Sequence, residues 1–377
     1  MGYYPDWAGP RFPPEKIDFD RFDWIDFAFA VPDETFNLTW DNPEESPSIL
    51  DRLVAAAHAK KSKIKLSIGG WSGSKYFSPA VRTLESRRVF AENILAAYNT
   101  FNLDGIDLDW EYPGHQGAGG NLVDPHDTAN FLLFLQYLRT VLPPCARISA
   151  AAQTLPFVDA QEQPLQDVSD FADSLDWVLI MNYDVWGSSS PPGPNSPLHD
   201  GCGNSTQADA NAVAAYNAWT SAGFPASKLV LGIPSYGYVI TSNSTRLKTR
   251  SRHQVRSASV KVVDEDGGSD SQVQFRDLLS QGALVRCDDA RDEESTSPTF
   301  AASGGFERNW DDCSCTPFLR SSSSGQVVTY DDLVSVRMKA AFVKELGMLG
   351  TNMFDICGDT DQWDLTDSIR KAMGLAT

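Results

Sequence analysis

Short apolar, β-branched segments alternate with amphipathic helical stretches along most of this chain, and that rhythm constrains the fold more than any other feature. Strands are read at residues 2–4, 24–30, 63–68, 105–112, 147–152, 177–183, 228–236 and 350–356. Their length and composition suit strands buried in a parallel sheet. Helices are read at 46–61, 78–100, 127–142, 207–222, 331–346 and 366–373, the first on Ile49, Leu53, Ala56 and Ala57, which share one helical face. Eight strands in a βαβ rhythm fit an eight-stranded α/β barrel, the (β/α)8 or TIM arrangement, better than an open sheet. The rhythm breaks between residues 239 and 325, a Ser-rich stretch with the charged runs Asp264-Glu265-Asp266, Asp288-Asp289 and Arg291-Asp292-Glu293-Glu294. Phe275, Leu278, Leu279 and Trp310 within it argue for a small packed α+β subdomain between strand seven and helix seven. Strand-like pieces are expected there at 260–263 and 304–310, with a loop tip at 321–324. The barrel is then expected to comprise residues 1–238 and 326–377.

Within the fourth strand, Asp107, Asp109 and Glu111 alternate with Ile106, Leu108 and Trp110. A strand points alternate side chains to one face, so the three carboxylates form a ladder and the apolar residues face a core. Acids this close cannot all remain ionised at their ordinary pKa, and at least one must be raised. A ladder whose last acid is held protonated near neutral pH is what general-acid chemistry requires. In a barrel the site lies at the C-terminal strand ends, where Glu111 precedes Pro113-Gly114. Asp104 falls out of phase with the ladder and reads as a structural residue bonded to backbone or a neighbouring strand. Ser67 reads either as a partner of the ladder or as a small residue for tight packing. Gly69 and Gly70 read as a backbone turn.

A formal charge of −19 argues against nucleic acid or an anionic membrane as partner, since both demand a basic surface. No apolar run is long enough to span a membrane. The N-terminus enters its first strand without a leader, so a targeting segment has been removed or the protein is intracellular. Sequons at Asn37, Asn204 and Asn243 favour an extracellular, secreted protein. Of six cysteines, Cys145 and Cys357 are expected to be buried thiols, and Cys202, Cys287, Cys313 and Cys315 to form two disulfides. No histidine and cysteine set has the spacing of a metal site, and no cofactor or metal is expected.

The segment Asp104-Gly105-Ile106-Asp107-Leu108-Asp109-Trp110-Glu111-Tyr112-Pro113 resembles the DGxDxDWEYP signature of glycoside hydrolase family 18 chitinases. Ser67-Ile68-Gly69-Gly70-Trp71 matches the family's SxGG motif, Met181-Asn182-Tyr183-Asp184 its strand-six motif, and Tyr236-Gly237 its strand-seven end. Trp310-Asp311, Pro317-Phe318-Leu319 and Tyr330-Asp331-Asp332 resemble its return from the chitinase insertion domain. The resemblance runs from Tyr3 to about Trp363.

This resemblance implies hydrolysis of β-1,4 bonds between N-acetylglucosamine units of chitin or chitooligosaccharides by a retaining, substrate-assisted route. It gives Glu111 the role of general acid and base, Asp109 that of orienting the substrate's acetamido group, and Asp107 that of sharing a proton with Asp109. Tyr183 would donate to the acetamido oxygen, with Asp184 and Tyr236 completing the polar wall. Substrate contacts are further expected from Tyr4, Gly70, Trp71, Tyr112, Met181, Trp186 and Phe354. Trp7, Trp71, Trp110, Tyr112, Trp186 and Phe354 fall near strand ends, where aromatic rings suit sugar faces; Trp110 reads as core, and Trp71 and Trp186 as the better subsite candidates. The sequence departs from the family in two places: Phe354 stands where the family usually has the tryptophan beneath the cleaved sugar, and Tyr238 where it often has arginine. An endo-β-N-acetylglucosaminidase and a chitinase-like lectin are the alternatives, and a monomer is expected.

Overall fold

The computed structural model describes residues 1–242, 247, 260–263, 272–287 and 299–376. The Asn243 sequon and the charged runs at 264–266, 288–289 and 291–294 lie outside them. The described chain divides into two compact units, the first made of residues 1–181, 215–231 and 347–352.

The first unit carries the barrel. Its strands are β1 (Gly2–Pro5), β2 (Trp24–Pro32), β3 (Lys63–Gly69), β4 (Gly105–Asp109), β5 (Arg147–Ala152), β6 (Trp177–Ile180), β7 (Leu229–Pro234) and β8 (Gly350–Phe354). The last two contribute their first three residues to this unit. Neighbours follow the order β1-β8-β7-β6-β5-β4-β3-β2, and a β1–β2 pairing closes the ring into the eight-stranded barrel expected from the rhythm. Parallel registers pair Asp26 with Lys65, Ser67 with Asp107, and Asp107 with Ser149. Residues distant in sequence therefore occupy one level inside the ring. On the other face of β4, Ile106 and Leu108 are fully buried, contributing about 1.5–3 kcal/mol each.

Several expected boundaries move for local reasons. The helix read at 78–100 is two helices, Phe77–Arg82 and Leu84–Thr100. Thr83 between them adopts an extended backbone and forms a reciprocal cap with Ser86, satisfying N–H groups that a helix start leaves open. The helix read at 207–222 begins only at Ala212. Strand β4 ends at Asp109 rather than at residue 112.

The second unit comprises residues 182–214, 232–346 and 353–377. It holds a five-stranded antiparallel sheet in the order Gln272–Gln274, Tyr236–Thr241, Gln326–Thr329, Thr316–Ser321, Glu307–Asp311. A two-stranded ribbon pairs Leu284–Cys287 with Thr299–Ala302. Helices Phe275–Ser280, Leu333–Glu345 and Asp364–Met373 belong to the same unit. Val239, Val273, Phe275, Leu319, Val328, Val336 and Leu365 share its core. Residues 260–263 form no strand, and the piece read at 304–310 becomes the strand Glu307–Asp311.

Two expected disulfides reduce to one. Cys202 pairs with Cys313, while Cys287 and the buried Cys315 are free thiols. Cys315 instead lies 3.2 Å from His199 Nε2. Cys357 is buried as expected, but Cys145 is exposed, because it sits in the turn between a helix and β5. Among the described residues no helix is long and apolar enough to cross a membrane.

Candidate active site

In the first unit, alternation along β4 puts Asp107 and Asp109 on the inner face, both buried. Asp107 accepts on both oxygens: Tyr3 Oη and Ser67 Oγ donate to Oδ2 at 2.8 Å each, and Ser149 Oγ to Oδ1 at 2.5 Å. Ser67 is thus a partner of the ladder. Tyr3 and Ser149 escaped sequence reading, and Tyr4, expected at the substrate, is instead core. It is fully buried, with its hydroxyl donated to the Phe12 carbonyl at 2.7 Å. Alternation in β1 sends Tyr3 inward and Tyr4 outward.

Asp109 is placed differently. Its buried Oδ1 has no hydrogen-bond partner among the described residues. Burial first, then the charges of Glu111, Asp107 and Asp26, hold its carboxyl well above the usual range. This is the raised acid that the ladder requires.

Glu111 lies beyond the strand and is half-buried. Its N–H donates to Ser74 Oγ at 2.9 Å, and its carbonyl accepts from Asn121 Nδ2 at 3.2 Å. Side chains from two other loops therefore fix the backbone that presents the carboxylate. Burial and then the Glu111 charge push the Tyr112 phenol above its ordinary range.

Trp110 turns away from the ladder, as its alternation predicts. It is 2% exposed, stacked on Phe77 at 5.2 Å and edge-on to Phe131 at 5.4 Å. Gly69 and Gly70 have φ of +116° and +84°, and a Cβ on Gly69 would lie 2.1 Å from the Asp109 carbonyl oxygen. Gly70 N–H donates to that same oxygen at 2.8 Å. The close approach that needs glycine is thus to the backbone at the end of β4. Trp71 follows at 56% exposure, its carbonyl held by Asn121, and Trp7 is 50% exposed. Met181 is half-buried and its N–H donates to the Ala152 carbonyl at 2.8 Å.

The second unit gathers a separate aromatic group. Tyr236 lies 6.2 Å from Tyr183, 6.2 Å from Phe354 and 6.1 Å from Tyr238, while Tyr183 and Phe354 are 5.9 Å apart. Asp184 Oδ1 accepts from Tyr236 Oη at 2.6 Å and from Tyr238 Oη at 2.7 Å. Asp184 is an exposed residue with φ of +57°, and its N–H donates to Asn195 Oδ1 at 2.9 Å. Removal of its carboxyl from water pushes it above the usual range, against the pull of the two hydroxyls. Burial and then the Asp184 charge push the Tyr236 phenol up as well. Tyr238, where the family often has arginine, thus supplies a second hydroxyl to Asp184 and accepts from Gln272 Nε2 at 3.0 Å.

Trp186 does not stand out as Trp71 does. It is half-buried, packed so closely on Gly193 that a Cβ there would lie 2.3 Å from its Cγ. With Pro194, Pro197, His199 and Asp311 it lines an open pocket within this unit.

The family model described as Glycosyl hydrolases family 18 matches residues 1–359. A chitinase-like effector from Moniliophthora roreri is 35% identical, over 99% of this chain and 92% of its own length. A second, from Moniliophthora perniciosa, is 32% identical over 100% and 87%. Among solved structures, a chitinase from Rhizomucor miehei is similar at 30% identity and a TM-score of 0.79, covering 98% of both chains.

Proposed function

The chain belongs to glycosyl hydrolase family 18, and from that premise we propose that it is a chitinase acting on β-1,4-linked N-acetylglucosamine. The observation that carries this reading is the complete ladder, with Asp109 buried, raised, and left with an oxygen that no described residue satisfies. An unsatisfied buried oxygen is costly, and an amide N–H of the substrate is a group that would satisfy it.

In the reaction so read, Glu111 protonates the glycosidic oxygen and that bond breaks. The substrate's own 2-acetamido carbonyl oxygen bonds to the anomeric carbon, so no enzyme nucleophile is needed. Asp109 accepts from the acetamido N–H and holds that group against the anomeric carbon as the oxazolinium intermediate forms. The family resemblance further assigns Tyr183 as donor to the acetamido oxygen and Asp184, Tyr236 and Phe354 to the wall and floor of the sugar site. Glu111 then takes a proton from water as it attacks the anomeric carbon, and configuration is retained. Trp71 is read as an outlying sugar platform, and Tyr112 as the group that orients Glu111. Residues 239–325 are read as the inserted subdomain. Of the sequons, Asn37 and Asn204 are exposed, which supports an extracellular protein.

A second reading, a binder of chitooligosaccharide that does not cleave it, is favoured by the relatives named chitinase-like effectors. Hydrolysis and binding of a chitooligosaccharide by the wild type and Glu111→Gln decide between them. The enzyme reading expects kcat to fall on the order of 10³-fold in the variant, with binding retained. Binding without cleavage by the wild type would leave the second reading standing, and equal turnover by both proteins would remove Glu111 from its role.

A further inference from the structure

Inside the barrel, directly beneath the ladder, lies a fully buried lysine that the reaction as described does not use. Lys65 Nζ is 2.8 Å from Asp26 Oδ1, in contact with Ser149 Oγ, and 4.6 Å from the centre of the Trp177 ring. Asp107 Oδ1 is 3.6 Å away. Asn352 Nδ2 donates to the other Asp26 oxygen at 2.8 Å, holding that carboxylate behind the lysine. Gly105, opposite Lys65 across the β3–β4 pair, leaves room for the stem: a Cβ there would lie 3.0 Å from Lys65 Cγ.

The direction of these bonds is determined by chemistry. An ammonium has only donors, so Ser149 Oγ must accept from Lys65. The Ser149 hydroxyl proton then goes to its other neighbour, Asp107 Oδ1. Tyr3 and Ser67 donate to Oδ2. Both oxygens of Asp107 are thereby committed as acceptors, with a positive charge 3.6 Å from one of them. The titratable groups facing Lys65 and Asp107 are Asp26 from β2, Tyr3 from β1, and Asp109 and Glu111 above them.

We propose that Lys65 is a positioning residue of the active site, acting through Ser149 to hold Asp107 as an anion so that the proton of the ladder resides on Asp109. The inference rests on the ladder being the catalytic group and adds where its proton sits. Instead of being shared evenly, the proton is delivered one level up, beside Glu111. The raised carboxyl of Asp109 agrees with that location.

The test compares wild type, Lys65→Met and the charge-neutral pair Asp26→Asn/Lys65→Met, which avoids stranding a buried carboxylate. Two quantities are read: the pH profile of kcat/KM on a chitooligosaccharide, and the ¹³C carboxyl signals of Asp107 and Asp109 at pH 6. Removing the cation lets Asp107 compete for the proton. The acid limb of the profile is expected to move up by about one pH unit or more in Lys65→Met, and in the same direction but less in the pair. The Asp107 signal is expected to be that of a carboxylate in the wild type and to move toward the acid form in both variants. An Asp107 signal unchanged by the substitutions, with or without a moving limb, would overturn the proposal. A wild type that hydrolyses nothing would overturn the enzyme reading, and the carboxyl signals would still decide the role of Lys65.

Discussion

Strand β4 carries an aspartate just before its first residue and another at its last, and the barrel treats the two in opposite ways. Asp104 is surrounded by donors: Lys63 Nζ and His58 Nε2 at 2.8 Å each, and the Ile64 N–H at 2.9 Å. Burial opposes its charge, but Lys63, the Ile64 amide and His58 outweigh it and hold the carboxyl below the usual range. Asp109 has three acids for neighbours and an oxygen without a partner among the described residues. Asp176, just before β6, repeats the first pattern with Arg139, Arg147 and the Ile148 N–H. The contrast separates stability at the foot of the barrel from chemistry at the strand ends. At the foot a carboxylate is charged because it is matched; at the strand end one is kept uncomfortable.

The comparison is broken most visibly at Asp109. Asp109→Asn is expected to lower kcat on the order of 10²-fold or more in a chitooligosaccharide assay. It keeps the shape but removes the titratable carboxyl that faces the intermediate. At the foot, Asp104→Asn is expected to leave turnover unchanged and to lower unfolding free energy by about 1–2 kcal/mol at pH 7 in urea titration. The sign with pH follows from a depressed folded pKa: the stabilisation is present above the unfolded value near 4 and is lost as pH falls through the folded one. The deficit of Asp104→Asn should therefore shrink as pH falls below the unfolded value. Smallest is Trp71→Ala, expected to raise KM a few-fold for long oligomers with kcat unchanged, because only an exposed stacking surface is removed.

The ladder and the eight strands were legible because both are local, period-two patterns in sequence. So was the structural role of Asp104, since its phase excluded it from the ladder. Lys65, Tyr3 and Ser149 were not. In the run Lys63-Ile64-Lys65-Leu66 a lysine at either polar position looks solvent-facing, and only the register with β2, β4 and β5 encloses the second one. Choosing Tyr4 over Tyr3 failed for the same reason, because the phase of β1 is set by ring closure with β2 and β8. The disulfide was half legible: loop-like cysteines were found, but Cys313 and Cys315 are two residues apart and only the fold selects Cys313 for Cys202. The break at Thr83 depended on a cap that an apolar pattern does not reveal.

The most direct measurement is the unfolding free energy of Asp109→Asn and wild type as a function of pH. A carboxyl whose folded pKa is raised lowers stability as pH rises from its unfolded value toward its folded one, and asparagine does not titrate. The variant is therefore expected to match the wild type near pH 4 and to become progressively more stable than it as pH rises toward 7. A variant less stable than the wild type at pH 7 would show that Asp109 is a satisfied structural residue, and the distinction between the two ends of β4 would collapse.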